Sequence, residues 1–230
     1  LDHLPPAPTP NLYPPALARG RVVVVANLRL STEAQWPASI HDAKCAMRWV
    51  RKHAEELRID AQRIAAFGAS ASANISALLA LTASTGKLDD PDCDPSVSTD
   101  VKAVGCLSGI FDWDYYKNVD SGDKSLFVNV LPPFLGRGDK LYREASPSTY
   151  VHTGAPPFLL THGLQDLRVP YSQMTHFAEL LKRATVTVET HSINNYQHGA
   201  IPGKEPDPGY AVTDQRIYTF FDRYLNGKRI

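Results

Sequence analysis

Short apolar runs recur along the chain, separated by stretches with helical spacing or by polar loops. Arg21-Val-Val-Val-Val-Ala26 is β-branched without polar alternation. Such a run predicts a strand buried on both faces, as in a parallel sheet. Arg63–Phe67, Val101–Leu107, Pro157–His162 and Val186–His191 read as further strands. Between them, residues 37–57 place Ile40, Ala43, Met47, Val50, Ala54 and Leu57 at helical spacing, with Pro37 suited to the first turn. An apolar helix follows the stretch at 67–76 and runs to about Ala83. Residues 170–183 form a helix with a proline start, and residues 214–225 close the chain with Ile217, Phe220, Phe221 and Tyr224 on one side. Strands that alternate with helices imply right-handed βαβ units. The expected class is α/β, a mostly parallel sheet with helices on both faces.

The punctuation suggests a single domain over 21–230, preceded by a proline-rich segment at 1–20. Residues 1–19 hold six prolines and should be extended or loop-like. Pro-Pro-Ala-Pro alone is too weak for a recognition motif. Residues 84–100 are polar and turn-rich. Residues 111–155 are irregular, and the aromatics at Phe111–Tyr116 and Phe127–Phe134 make this segment a candidate cap-like insertion.

Composition narrows the classes. The 230 residues are 43% hydrophobic and 21% charged, enough for one large core. The formal charge is zero, which gives no reason to expect nucleic acid or a membrane surface as partner. No apolar run approaches a membrane span or a signal peptide. The first residue is Leu, so a processed or truncated N-terminus is expected. Cys45, Cys93 and Cys106 are too few for a disulfide framework or a zinc site; they allow at most one bridge, and buried free thiols are the expected state. His3, His41, His53, His152 and His176 show no ligand spacing, so neither metal nor cofactor is expected.

The candidate chemistry lies at the carboxyl ends of the strands, where open α/β sheets collect functional groups. Arg63–Phe67 delivers Ser70. Pro157–His162 delivers Asp166, within Thr161-His-Gly-Leu-Gln-Asp166. Val186–His191 leads to His198, within Asn194-Asn-Tyr-Gln-His-Gly199. A serine hydroxyl needs a histidine to take its proton, and that histidine needs an acid to orient it. Ser72 is a weaker nucleophile candidate, further into the helix. Asp112 is a rival acid, His162 reads as structural at a strand end, and His191 as a surface strand residue.

These motifs together resemble the α/β-hydrolases, close to the hormone-sensitive-lipase-like and the feruloyl- and acetyl-xylan-esterase-like carboxylesterases. Asn27-Leu-Arg-Leu30, Glu33-Ala-Gln-Trp-Pro37 with His41-Asp42, Phe67–Asn74, Leu141–Pro147, His162–Asp166 and His198-Gly199 carry the resemblance, which covers residues 16–226. It implies Ser70 as nucleophile, His198 as general base and acid, Asp166 as orienting acid, and the Ala71 backbone N–H as an oxyanion donor. Two positions depart from the pattern. Ser72 stands where the elbow has a glycine that lets the helix pack closely. Nothing in residues 1–20 matches the family's His-Gly-Gly-Gly loop, whose N–H groups each contribute about 3 kcal/mol to the transition state.

The chain therefore reads as N-terminally shortened. Either Val22–Val25 moves directly beside Arg63–Phe67, with N–H groups near Asn27–Leu30 in place of the loop, or a partner chain or further N-terminal segment supplies the strand. The implied activity is hydrolysis of small-molecule carboxylic esters, short-chain acyl or acetyl and feruloyl, with an arylformamidase-like amidase nearby. A homodimer is compatible. The competing reading is a non-catalytic binding protein of the same fold.

Overall fold

A computed structural model describes residues 13–83, 85–118, 139–194, 196–198 and 208–226. Four strands, β1 (Ala66–Ala69), β2 (Val104–Leu107), β3 (Phe158–Gly163) and β4 (Val188–Ile193), pair in parallel in the order β1-β2-β3-β4. Every residue of β3 is buried, which explains why its sequence, Phe-Leu-Leu-Thr-His-Gly, shows no polar alternation.

Side chains alternate between the two faces of the sheet. On one face Val104, Cys106, Phe158 and Leu160 pack against Ala73, Ala77 and Leu81 of α3 (Ala71–Leu81) and Met174, Phe177 and Leu181 of α6 (Ser172–Arg183). On the other, Ala103 and Leu159 meet Ile217, Phe220 and Phe221 of α7 (Pro208–Leu225). A further layer lies over α3, where Ile40 of α2 (Ala38–Lys52) joins Ile75, Leu78, Leu79 and Trp36. The α/β class read from the sequence is the observed one.

The Arg21–Ala26 run departs from expectation. It is not a strand, and Val22–Val25 are between 37% and 51% exposed. Its flanks are tethered on opposite sides: the Arg21 guanidinium to Asp222 on α7, and Arg29 to Asp42 on α2 at 2.7 Å. It does not pair with β1, whose ladder partner among the described residues is β2. Val22–Val25 therefore does not move beside Arg63–Phe67 as entertained above. A β-branched run reports a preference for sheet, and it becomes a strand only where a neighbouring backbone offers hydrogen bonds.

The proline-rich head is also not wholly extended. Tyr13–Ala18 forms α1, with Pro14 and Pro15 in the first turn, where a missing N–H costs nothing. In the 111–155 segment lie α4 (Trp113–Asn118), α5 (Asp139–Glu144) and a 3-10 turn at Pro147–Tyr150. Phe111, Trp113 and Tyr116 are buried core residues. Phe127–Phe134 fall outside the described residues. No helix among the described residues is long and apolar enough to cross a membrane.

Cys45 and Cys93 form a disulfide, and Cys106 is the buried free thiol, so only one of the three cysteines matches the expected reduced state. The polar 85–100 segment folds back onto α2. There the fully buried Lys44 ammonium donates to Asp89 Oδ1 at 2.6 Å, and Arg48 to Oδ2 at 2.8 Å. Burial pushes the Lys44 ammonium down and Asp89 holds it up. Burial would raise the Asp89 carboxyl, but hydrogen bonds from Lys44 and Arg48 outweigh it and hold it below the usual range. Asp89→Asn leaves Lys44 buried without a counter-charge and should cost about 3 kcal/mol in urea denaturation at neutral pH. Because the native carboxyl titrates low, this difference should be complete above the unfolded carboxylate range and shrink below about pH 4.

Candidate active site

β1 ends at Ala69, and Ser70 turns the chain into α3 with φ 54° and ψ −120°. This left-handed backbone costs about 1–3 kcal/mol at a non-glycine residue and persists only where its surroundings enforce it. Two features enforce it. The Ser70 N–H donates to the Leu107 carbonyl at the end of β2 at 2.8 Å. Gly68 lets α3 come close: a Cβ there would collide with the Ser72 carbonyl and the Ala73 nitrogen. Ala71 opens α3, so its N–H has no intrahelical acceptor and adds to the positive helix end beside Ser70. Ser72 is exposed. The strain expected from serine in place of glycine is therefore absent, since the crowded position is Gly68.

Beyond β3 the loop wraps the Asp166 carboxylate, whose side chain has no exposed surface. Its Oδ1 accepts the Arg168 N–H at 3.0 Å and the Val169 N–H at 2.8 Å. Its Oδ2 lies 2.8 Å from His198 Nδ1 and 3.2 Å from His162 Nε2. Burial would raise this carboxyl, but the hydrogen bonds from His162, His198 and the Val169 N–H prevail and hold it well below the carboxylate range. An ionised Asp166 places the His198 proton on Nδ1. Nε2 is then an acceptor, and Ser70 Oγ lies 2.8 Å from it. The arrangement can draw a proton from Ser70 during attack on an electrophilic carbon.

His198 reaches this place because two loops are clamped together. Leu164 N–H donates to the Ile193 carbonyl at 3.0 Å, and Gln165 N–H to the Tyr196 carbonyl at 3.1 Å. Gly163 makes the second contact possible, because a Cβ there would collide with that Tyr196 carbonyl.

The structure thus brings together Ser70, Asp166 and His198, with the Ala71 N–H at the same turn. Asp112 is engaged elsewhere. Its Oδ1 accepts the Tyr115 N–H at 2.8 Å in the first turn of α4, and its Oδ2 lies 3.3 Å from His176 Nε2. His162 is more than a packed ring. It is fully buried, and Nε2 also donates to the Val169 carbonyl at 2.9 Å, fixing the loop that carries Asp166. The spacing of four residues between His162 and Asp166 was the signal for it. The amides suggested near Asn27–Leu30 as oxyanion donors are partly committed: Arg29 N–H donates to Asp42 Oδ2 and Leu30 N–H to Glu33 Oε2, each at 2.8 Å.

Gly163→Ala should push the Tyr196 carbonyl and His198 away from Ser70. A misplacement near 1 Å costs about 100-fold in rate, to be read as slower labelling of Ser70 by a fluorophosphonate.

The BD-FAE family model matches residues 9–181. Esterase LipQ of Mycobacterium tuberculosis is 33% identical over 188 residues, 78% of this chain and 42% of that protein. Esterase LipC of the same organism is 32% identical over 174 residues, 72% of this chain and 41% of that protein. The chain thus spans about two fifths of the length of these curated relatives. Among solved structures, a truncated carbohydrate esterase from gut microbiota is 27% identical with a TM-score of 0.74, covering 87% of this chain and 73% of that one. Butyrate-bound esterase 2 of Thermogutta terrifontis is 26% identical with a TM-score of 0.71, covering 88% and 73%. By the span of the family match and the shared sheet, the chain belongs to the BD-FAE family and has the α/β-hydrolase fold.

Proposed function

We propose that this chain carries the site of a serine carboxylic-ester hydrolase. The observation that carries the reading is His198 held between Asp166 and Ser70 at 2.8 Å on either side. Ser70 Oγ attacks the ester carbonyl while His198 Nε2 takes its proton. The Ala71 N–H and the positive end of α3 stabilise the oxyanion. His198 then returns the proton to the departing alkoxide, leaving Ser70 acylated. In the second half His198 activates water, and the acid is released. Asp166, kept ionised by its hydrogen bonds, balances the imidazolium in both halves.

The esterase names of the relatives support this class over a purely binding role. The substrate is a small-molecule ester. Short acyl chains are favoured by the butyrate and propionate bound to the Thermogutta enzyme. Acetyl or feruloyl esters are the alternative, and the neighbour described as a carbohydrate esterase supports an ester on carbohydrate.

The test is hydrolysis of p-nitrophenyl acetate and butyrate. Ser70→Ala should fall to background. Asp166→Asn should lower kcat by roughly 10⁴-fold, as loss of the orienting anion does in such triads. Asp112→Asn should stay near wild type. A Ser70→Ala variant as active as wild type overturns the reading.

A further inference from the structure

Away from Ser70, α2 and the 85–100 segment bring a second reactive cluster together. His41 and Cys45 stand four residues apart on α2 and so share a face. Asp90 and Cys93 come from the segment opposite. One Asp90 carboxylate oxygen and the two sulfurs lie within 4.8 Å of one another. His41 Nδ1 is 3.5 Å from Asp90 Oδ2. The Asp92 N–H holds Asp90 Oδ1 at 2.9 Å, which leaves Oδ2 toward His41. The Cα atoms of Cys45 and Cys93 are 5.7 Å apart.

Two sulfurs and one carboxylate oxygen are three donors of the kind tetrahedral zinc takes; His41 stands outside that group of three, beside Asp90, where its imidazole can complete the set. While the sulfurs are bonded to each other they cannot act as thiolates. We propose that reduction of Cys45–Cys93 converts this clasp into a zinc site of His41, Cys45, Asp90 and Cys93. A dithiol supplies the two electrons: it becomes a disulfide, and its two hydrogens end on the Cys45 and Cys93 sulfurs. Zn²⁺ then displaces both thiol protons to solvent and binds the two thiolates with His41 and Asp90.

Ion pairs besides the disulfide join the segment to α2. Asp89 joins Lys44 at 2.6 Å and Arg48 at 2.8 Å, and Asp94 joins Lys52 at 2.8 Å. These pairs tether both sides of the segment to α2 once the S–S bond is broken. The ligands come from two distant stretches of sequence, which is why no ligand spacing showed.

The test is Co²⁺ titration of the full chain, reduced anaerobically with a phosphine, with circular dichroism alongside. One Co²⁺ per chain should bind with thiolate-to-cobalt charge transfer and tetrahedral ligand-field bands, and stoichiometric Zn²⁺ should bleach both. The oxidised chain should show neither. His41→Ala, which leaves both thiols in place, should weaken Co²⁺ binding at least ~10-fold. Absence of these bands in the reduced chain, equal bands in the oxidised chain, unchanged affinity in His41→Ala, or loss of fold on reduction would each overturn the proposal.

Discussion

The site rests on one buried anion. Asp166 has no exposed side-chain surface, so every lone pair that water would have served must be served by protein. Two backbone N–H groups and two imidazoles do so. Burial favours the neutral acid and these donors favour the carboxylate, and the donors prevail. From that outcome the rest follows. The anion fixes the tautomer of His198, the tautomer turns a lone pair toward Ser70, and His162 keeps the loop around the carboxylate closed by also bonding the Val169 carbonyl.

The sheet supplies the distances. β1, β3 and β4 end on the same side because all four strands run parallel, and β2 between them contributes the Leu107 carbonyl that holds the Ser70 turn. Two glycines allow the close approaches that side chains would forbid. Gly68 admits the first turn of α3, and Gly163 admits the Tyr196 carbonyl. The order Ser, Asp, His along the chain thus becomes a compact cluster at the carboxyl ends of the strands.

Much of this was legible in the sequence because it is written in local patterns. Helical spacing in 37–57 and 170–183 and the apolar runs at β2 and β3 reflect burial against immediate neighbours, and those elements formed, although α2 ends at Lys52 and leaves Ala54 and Leu57 in turns beyond the helix. Ser70, Asp166 and His198 were readable because each follows a strand. What was not legible depends on partners distant in sequence. Val22–Val25 has the composition of a strand but no strand beside it. Cys45 and Cys93 are 48 residues apart, and their meeting follows from how Asp89 pairs with Lys44 and Arg48. Ser72 departs from the family pattern at an exposed position, so the departure carries no steric consequence.

The Ser70 turn is therefore shaped from both sides, by the carbonyl of β2 and by the close approach of α3, while the loops that carry Asp166 and His198 are joined through the Asp166 carboxylate. The most direct measurement is rapid quenching with p-nitrophenyl butyrate followed by peptide mass spectrometry. The account predicts a butyryl group on Ser70, lost when the chain is denatured before the ester is added. No acyl adduct, or an adduct on Ser72 or another residue in place of Ser70, would contradict it.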